Sequence, residues 1–561
     1  MTERVDAVVV GSGFGGSVAA CRMAEQGHAV VLLERGRRYP PGSFARRPAE
    51  LARAMWDPSE GLQGLFDFWS FRHLEAVVSS GLGGGSLIYA NVLLRKDERW
   101  FVDDGAPSGG YESWPVTRAD LDPCYDLAEE VLGARANPYP HADGTPKTVA
   151  LRQAAKRLRL DWFRPPLAVS FAGKGQHPGD PIAGAEPNLH GAVRHTCQLC
   201  GECNFGCNFG SKNTLDYTYL SMADRAGADL RDRCEVRTVT PLPGGGFEVG
   251  YVRHEPENEG VRLDTSRLAV RTVRARVVVL AAGALGSTYL LLRNRDRLPA
   301  LGPALGTRFS GNGDLLGFVR SSPDRLDPSS GPVITSTIRV PDALDGGEGR
   351  GFYLQDGGYP AFVDWLVETT GAAGTAKRVA RAAVGRVLAG LSGAPNSRIG
   401  AEVGALFGAG QRAAGMLPLL GMGRDVPDGR LRLRGGWLDV DWCEATSRTY
   451  LDRLTATMAA VAEELGGELT MNPTRLLRRL ITVHPLGGCP MAVDKRRGVV
   501  DDHGESFGHS GLFVADGSVL PGPVGANPGL TIAALAERFA GRMTERLGAG
   551  RRRPPTLEAV G

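Results

Sequence analysis

Residues 5–36 constrain this chain more than any other stretch. Val8, Val9 and Val10 are a short β-branched apolar run, the signature of a buried parallel strand. Gly11, Gly13 and Gly16 follow at once in G-x-G-x-x-G spacing. A helix-compatible segment runs from about Gly15 to Gln26, and a second apolar run, Ala29 to Leu33, ends in Glu34. Gly11 permits the tight turn, Gly13 lets the backbone approach a pyrophosphate, and Gly16 lets helix and strand pack closely. The helix N-terminus turns free N–H groups and a positive dipole end to the phosphates. Glu34 stands where a carboxylate accepts hydrogen bonds from ribose hydroxyls and repels a 2′-phosphate, which argues against NADP. A glycine-rich turn without a ligand would leave Glu34 unexplained. The motif alone does not separate FAD from NAD.

A chain of 561 residues exceeds one simple core and predicts two domains, which interleave if distant strands join one sheet. Apolar content of 42% and charged content of 23% are those of an ordinary globular protein. A net charge of +3 gives no reason to expect nucleic acid as a partner, and Arg551–Arg553 reads as part of a solvated tail. No charged-then-apolar leader precedes the first strand, and no stretch is long and apolar enough to span a membrane, so the expected location is the cytoplasm. Nine cysteines, four of them within 197–207, do not form a secreted disulfide framework and look like metal-ligand usage in a reducing compartment.

Gly81-Leu-Gly-Gly-Gly-Ser-Leu-Ile-Tyr-Ala-Asn-Val92 is the second informative stretch. Consecutive glycines let a flat ligand lie against bare backbone and its N–H donors. The apolar residues that follow directly argue against a flexible linker. Helices are predicted over 115–135, 150–160, 215–226, 285–293, 446–465 and 531–547. Strands are predicted at VRTVTPL, GGFEVGYV, RLAVRTV and VVVLAAG between 236 and 283, at Leu315–Arg320, at Pro332–Arg339 and at Leu512–Gly517, with a hairpin over 430–442. The basic segment Thr375–Leu391 is amphipathic; it suits either peripheral contact with a membrane surface or a helix packed on its own domain.

The dinucleotide fingerprint, the 81–92 glycine run, VVVLAAGALGSTYLLLR at 277–293, HPLGGCPM at 484–491 and LFVADGSVLPGPVGANPGLTIAALAER at 512–538 occur in that order. Together they resemble the glucose–methanol–choline (GMC) flavoprotein oxidoreductases, most closely the cholesterol-oxidase-like branch. The resemblance implies FAD, and an α/β fold in which a Rossmann-like FAD domain (1–120, 195–312 and 484–548) interleaves with an α+β substrate domain (121–194 and 313–483), followed by a tail (549–561). It implies flavin-side contacts from Gly84, Gly85 and Asn91, from Asp516 and Gly517, and from Pro528, with Val236 beside the adenine. It places His484 and Asn527 at the substrate side. A histidine there accepts a hydroxyl proton near neutral pH, and a carboxamide holds the substrate oxygen without adding charge. Cholesterol oxidases also carry a glutamate proposed as a base for moving a steroid double bond. The segment that fits it is Phe352-Tyr-Leu-Gln-Asp-Gly357, which offers Gln355 and Asp356 but no glutamate. Asp356 is the candidate catalytic carboxyl, and Glu402 is another.

The expected function is FAD-dependent oxidation of the CH–OH group of a bulky apolar alcohol, steroid- or terpenoid-like, with oxygen or a redox carrier as acceptor. Two alternatives stand beside it: flavin-dependent isomerisation, ene-type reduction or desaturation of a cyclic ketone, and a non-catalytic flavin electron-transfer protein. Cys197, Cys200, Cys203 and Cys207 depart from the resemblance. Their C-x2-C-x2-C-x3-C spacing is the iron–sulfur run of ferredoxins, with Asn208 in place of the usual proline. A three-iron or four-iron cluster, a structural zinc and free thiols remain open.

Overall fold

A computed structural model describes all residues except 1, 48–49, 52, 103–111, 140–144, 325, 360–415, 473–474, 476–478, 549–555 and 559–561. Glu402 and the basic segment Thr375–Leu391 therefore lie outside the described residues. No described helix is long and apolar enough to cross a membrane.

Two sheets organise the molecule. The first runs in the order Asp229–Arg231, Val30–Leu33, Thr2–Val10, Arg271–Leu280, Phe247–Arg253 and Cys234–Pro241. Leu512–Val514 adds in parallel to Arg271–Leu280, so the far end of the chain completes the sheet that residue 2 begins. Its central strands are apolar and buried on both sides. The helix Phe14–Glu25 packs on Gly529–Leu547, which packs on Arg118–Leu132. The second sheet is antiparallel throughout: Glu468–Met471, Leu315–Arg320, Leu417–Gly423, Phe352–Asp356, Thr337–Val340 and Asp161–Phe163. The helix Arg448–Glu464 buries Leu454, Met458 and Val461 in the core this sheet shares.

Several expectations shift. The segment assigned to the substrate domain from residue 121 is divided: Leu121, Tyr125, Ala128 and Leu132 are buried in the dinucleotide-domain core, whereas Leu151, Ala154 and Ala155 of the helix Pro146–Leu158 join the second core. Within the stretch read as a solvated tail, Thr556–Glu558 pairs with Thr2–Arg4. RLAVRTV and VVVLAAG contribute to a single strand, Arg271–Leu280. Its first half alternates between buried and open positions and its second half is wholly buried, which reads in sequence as two strands. The strand expected from Pro332 begins only at Thr337, because the Thr335 and Ser336 N–H groups donate to the Asp356 carboxylate instead of to a ladder.

Candidate active site

The two glycine runs meet. At Gly11 (φ +96°) a Cβ would stand 2.4 Å from the Ala281 carbonyl oxygen, and at Gly16 it would stand 2.1 Å from the Gly11 carbonyl oxygen. These two glycines serve chain-to-chain packing. At Gly84 (φ +51°) a Cβ would lie 2.5 Å from the Gly13 Cα, so the second run lies directly on the first. Ser12 ties them: its Oγ donates to Glu34 Oε2 (2.7 Å) and accepts from the Gly83 N–H (2.9 Å). Glu34 also accepts from the Ser12 N–H (3.0 Å) and, through Oε1, from the Gly36 N–H (2.8 Å). Burial pushes its carboxyl up, and these donors oppose the shift. Cys234 N–H donates to the Glu34 carbonyl, which brings the strand carrying Val236 beside the acid. Val236 itself stands at a bulge.

Three positions show that a cofactor fits. A Cβ on Gly13 would meet nothing closer than 4.0 Å, and one on Gly85 nothing within 4 Å, so the protein's own packing requires glycine at neither. Asn91 is fully buried with φ +69°, and neither its Oδ1 nor its Nδ2 has a partner in the protein. A buried amide without partners is costly, and a ligand on the glycine runs would relieve it. Gly13, Gly85 and Asn91 are thus the residues positioned to hold a dinucleotide, with Gly84 packed directly on Gly13. Gly15, absent from the sequence-based set, is the most crowded glycine among the described residues: its Cβ would lie 1.4 Å from the Ala515 carbonyl oxygen. Gly13→Ala is therefore expected to fold normally and to bind FAD roughly 10- to 100-fold more weakly, read by flavin titration, if overpacking costs its usual 1–3 kcal/mol. Gly15→Ala is expected to disturb the fold itself, read by thermal denaturation. Equal FAD retention in Gly13→Ala would remove that glycine from the cradle.

Asp516 is buried, and its carboxylate is taken up by the protein. Oδ2 accepts from the Gly283 N–H (2.9 Å) and the Ser287 hydroxyl (2.5 Å), and Oδ1 accepts from the Ser518 N–H (2.8 Å). It thereby fastens the start of the helix Gly283–Arg293 to the C-terminal segment. Gly517 accepts from the Gly487 N–H (2.9 Å), which brings the HPLGG turn onto the same segment. Pro528 precedes the helix Gly529–Leu547, where the Gly529 position closes on the Phe14 ring.

His484 follows the strand Leu480–Thr482. Its Nδ1 lies 2.8 Å from Asp314 Oδ1. Asp314 Oδ2 accepts from the Thr482 hydroxyl (2.9 Å), the Val483 N–H (2.9 Å) and the His484 N–H (3.2 Å). A carboxylate only accepts, so the proton of the neutral ring sits on Nδ1 and Nε2 presents its lone pair. Asp314, which orients the candidate His484, is a residue that the sequence reading missed. Its signal is Gly311-Asn-Gly-Asp314, a polar, glycine-spaced run at the expected domain boundary.

Asn527 is 8% exposed and pairs with Gln355, whose Nε2 donates to Asn527 Oδ1 (2.9 Å); Asn527 Nδ2 returns a donor to Gln355 Oε1 at 3.3 Å. This corrects the assignment of Asp356. Successive strand residues face opposite ways, so with Gln355 turned to Asn527 its neighbour turns away. Asp356 accepts from Thr335 N–H, Thr335 hydroxyl and Ser336 N–H, and lies 3.6 Å from the buried Lys147 ammonium. Asp356 is held by these buried partners, and the residue of this segment that reaches Asn527 is Gln355.

The cysteine loop packs against the second glycine run. Lys212 Nζ donates to the carbonyls of Leu87 (3.1 Å), Tyr89 (3.0 Å) and Cys203 (2.8 Å). The Ser211 N–H points at Cys207 Sγ (3.3 Å), and the Leu199 and Glu202 N–H groups lie against the Cys197 and Cys200 thiols. Leu199 takes φ +57° to allow this. Among the described residues, the acidic trio Asp501, Asp502 and His503 is the one group of three or more such side chains whose ligand atoms lie within 4.8 Å of one another. Four thiolates on one zinc stand about 3.8 Å apart, as 2.3 Å bonds in a tetrahedron require. The four cysteines do not have that arrangement.

A dinucleotide cradle closed from both ends of the chain, with an oriented imidazole and a carboxamide carried by its C-terminal segments, defines a cofactor-dependent oxidoreductase. The comparisons make this specific. Family models described as GMC oxidoreductase match residues 183–295 and 427–536, and an NAD(P)-binding Rossmann-like model matches 9–48. A cholesterol oxidase of Mycobacterium tuberculosis (strain ATCC 25618 / H37Rv) is 31% identical over 100% of this chain and 94% of that protein. One from Acinetobacter baumannii is 29% identical over 95% and 93%. The crystal structure of pyridoxine 4-oxidase from Mesorbium loti superposes with a TM-score of 0.58 at 19% identity, covering 96% of this chain and 98% of that one. The chain belongs to the GMC oxidoreductase family, and its dinucleotide is accordingly FAD rather than NAD.

Proposed function

We propose that this chain oxidises the CH–OH carbon of a bulky apolar alcohol, steroid- or terpenoid-like, to the carbonyl. The observation that carries the reading is the Asp314–His484 pair, which orients the imidazole through Nδ1 and leaves the lone pair on Nε2. When bound, FAD supplies the acceptor for the hydride leaving the carbinol carbon. His484 Nε2 takes the hydroxyl proton, and Asp314 steadies the imidazolium that results. Asn527, held edge-on by Gln355, offers an N–H to the substrate oxygen. The full-length likeness to two cholesterol oxidases supports the substrate class. Gln355 has no titrating group, so the segment that would supply a base for moving a double bond supplies none. That weighs against isomerisation, and the oriented His484 weighs against a purely electron-carrying protein.

The same proposal extends to the cysteine loop: Cys197, Cys200, Cys203 and Cys207 would hold an iron–sulfur cluster, which would supply one-electron chemistry toward a carrier. Burial pushes the Cys197 and Cys200 thiols up, and the backbone N–H groups facing three of the sulfurs oppose that shift, as donors to bound thiolates would. Lys212 links the loop to the flavin-side carbonyls of Leu87 and Tyr89. A mononuclear zinc is disfavoured by the sulfur spacing.

The test is turnover of 3-hydroxysteroids and long-chain alcohols by flavin-loaded protein, with peroxide measured in air and dye reduction measured without oxygen. Ketone formation from a 3-hydroxysteroid, with no double-bond shift, is expected. No oxidation of any bulky alcohol overturns the substrate reading. Iron and acid-labile sulfide in anaerobically purified protein, both lost in Cys200→Ser, are expected; protein free of iron overturns the cluster and leaves the alcohol chemistry standing.

A further inference from the structure

Two residues before Asp314 stands a side chain that the chemistry above leaves unused. Asn312 is fully buried, with φ +55°, a left-handed conformation that asparagine tolerates better than most residues. Its Oδ1 accepts from the Gly525 N–H (2.9 Å) and its Nδ2 donates to the Ala526 carbonyl (2.9 Å). Both bonds grip the peptide units immediately before Asn527. From the other side, the buried Lys96 ammonium donates to the carbonyls of Pro523 (2.8 Å) and Val524 (3.3 Å).

The loop that carries Asn312 is itself immobilised at each residue. Ser310 exchanges backbone bonds with Leu486, two residues from His484 (2.9 and 3.1 Å). The Ser310 hydroxyl (2.5 Å) and the Gly311 N–H (3.2 Å) donate to the buried Asp425. Gly423 N–H donates to the Asn312 carbonyl (3.0 Å) and Tyr450 to the Gly313 carbonyl (2.8 Å), while Thr482 Oγ1, whose proton goes to Asp314, lies 3.0 Å from the Gly311 carbonyl. At Gly313 (φ +67°) a Cβ would lie 2.4 Å from the Tyr450 oxygen, so the loop has no room to shift that way.

We infer that Ser310–Asp314 is a yoke: Asp314 sets the His484 ring, Asn312 sets the backbone that carries Asn527, and the spacing of the two is fixed by two residues of one rigid loop. Asn312 is a positioning residue, since it touches neither reacting atom. The inference rests on His484 and Asn527 being the substrate-side pair. Misplacement of a reacting group by about 1 Å costs on the order of 100-fold in rate, so the yoke's tolerance is small.

Asn312→Gly keeps the left-handed backbone and removes both bonds, whereas Asn312→Asp keeps the Gly525 acceptor and turns a carboxylate oxygen against the Ala526 carbonyl. Both are expected to retain FAD and to lower kcat about 10- to 100-fold. The decisive readout is a double-mutant cycle. In an Asn527→Ala background, Asn312→Gly is expected to cost almost no further rate, because the group it positions is already gone. A full, additive loss in that background would show a merely structural role and overturn the inference, as would unchanged kcat in Asn312→Gly alone. If Asn527→Ala itself leaves turnover untouched, the assignment of the substrate-side pair falls instead, and the two failures are distinct.

Discussion

His484→Ala is expected to give a folded, flavin-retaining protein whose kcat is about 10²- to 10⁴-fold lower, the usual contribution of a positioned general base. The ring is partly exposed, at 16% of its side chain, and its one side-chain bond is to Asp314, so truncation removes chemistry without opening the core. Asp314→Asn sharpens the test. The new amide could donate to Nδ1, which would move the ring proton to Nε2 and leave no lone pair for the substrate. The same change weakens three further bonds, from the Thr482 hydroxyl and the Val483 and His484 N–H groups, that locate the start of the HPLGG turn. Its kcat is expected to fall nearly as far as that of His484→Ala, with FAD content intact. Anaerobic stopped-flow bleaching of the flavin by substrate measures both. Bleaching at the unmutated rate in His484→Ala would remove the imidazole from the proton-transfer role, and a fast Asp314→Asn would show that the tautomer does not matter.

How far sequence reaches depends on whether a residue's task is local. Gly16 was legible because one motif contains both that glycine and the Gly11 carbonyl it packs against, whereas Gly11 itself closes on the distant Ala281 and was legible through the motif's spacing alone. Asp516 was legible as a residue of the cofactor region, yet its three bonds go to Gly283, Ser287 and Ser518, and two of those partners lie more than two hundred positions away. Gly15 was missed for the same reason: the atom that forbids its side chain belongs to Ala515. Strand orientation was the other blind spot. Gln355 and Asp356 are adjacent, and only the pairing of Gln355 with Leu420 and Thr337 in the sheet decides which one faces Asn527. A carboxylate attracted the chemical reading and an amide did not, although the amide is the one that meets Asn527. Asp314 and Asn312 carried a visible pattern, but their roles exist only where the two sheets meet.

Asp356→Ala is the second large effect, and it is expected in stability rather than in catalysis. The Asp356 carboxylate is fully buried beside Lys147, whose ammonium also donates to the carbonyls of Pro332 (2.9 Å), Val333 (2.5 Å) and Gly357 (3.1 Å). Burial pushes the Lys147 pKa down, and Asp356 is the main charge that opposes this. Removing the acid strands the lysine in a medium that disfavours its charge, and frees the Thr335 and Ser336 N–H groups with no acceptor. Losing one partner of a buried ion pair costs about 3–5 kcal/mol, a large part of the ordinary margin of a folded protein. Denaturant unfolding should show that loss, while kcat per bound flavin in the surviving folded fraction stays at the unmutated value. Lys147→Met with Asp356→Leu, which removes both charges together, should recover much of the stability, because no unpaired charge is left behind. A catalytic Asp356 predicts the opposite pattern, a stable protein with its turnover lost. The charge and the chemistry are separable in this strand because its neighbouring side chains face opposite sides of the sheet, Asp356 toward Lys147 and Gln355 toward Asn527.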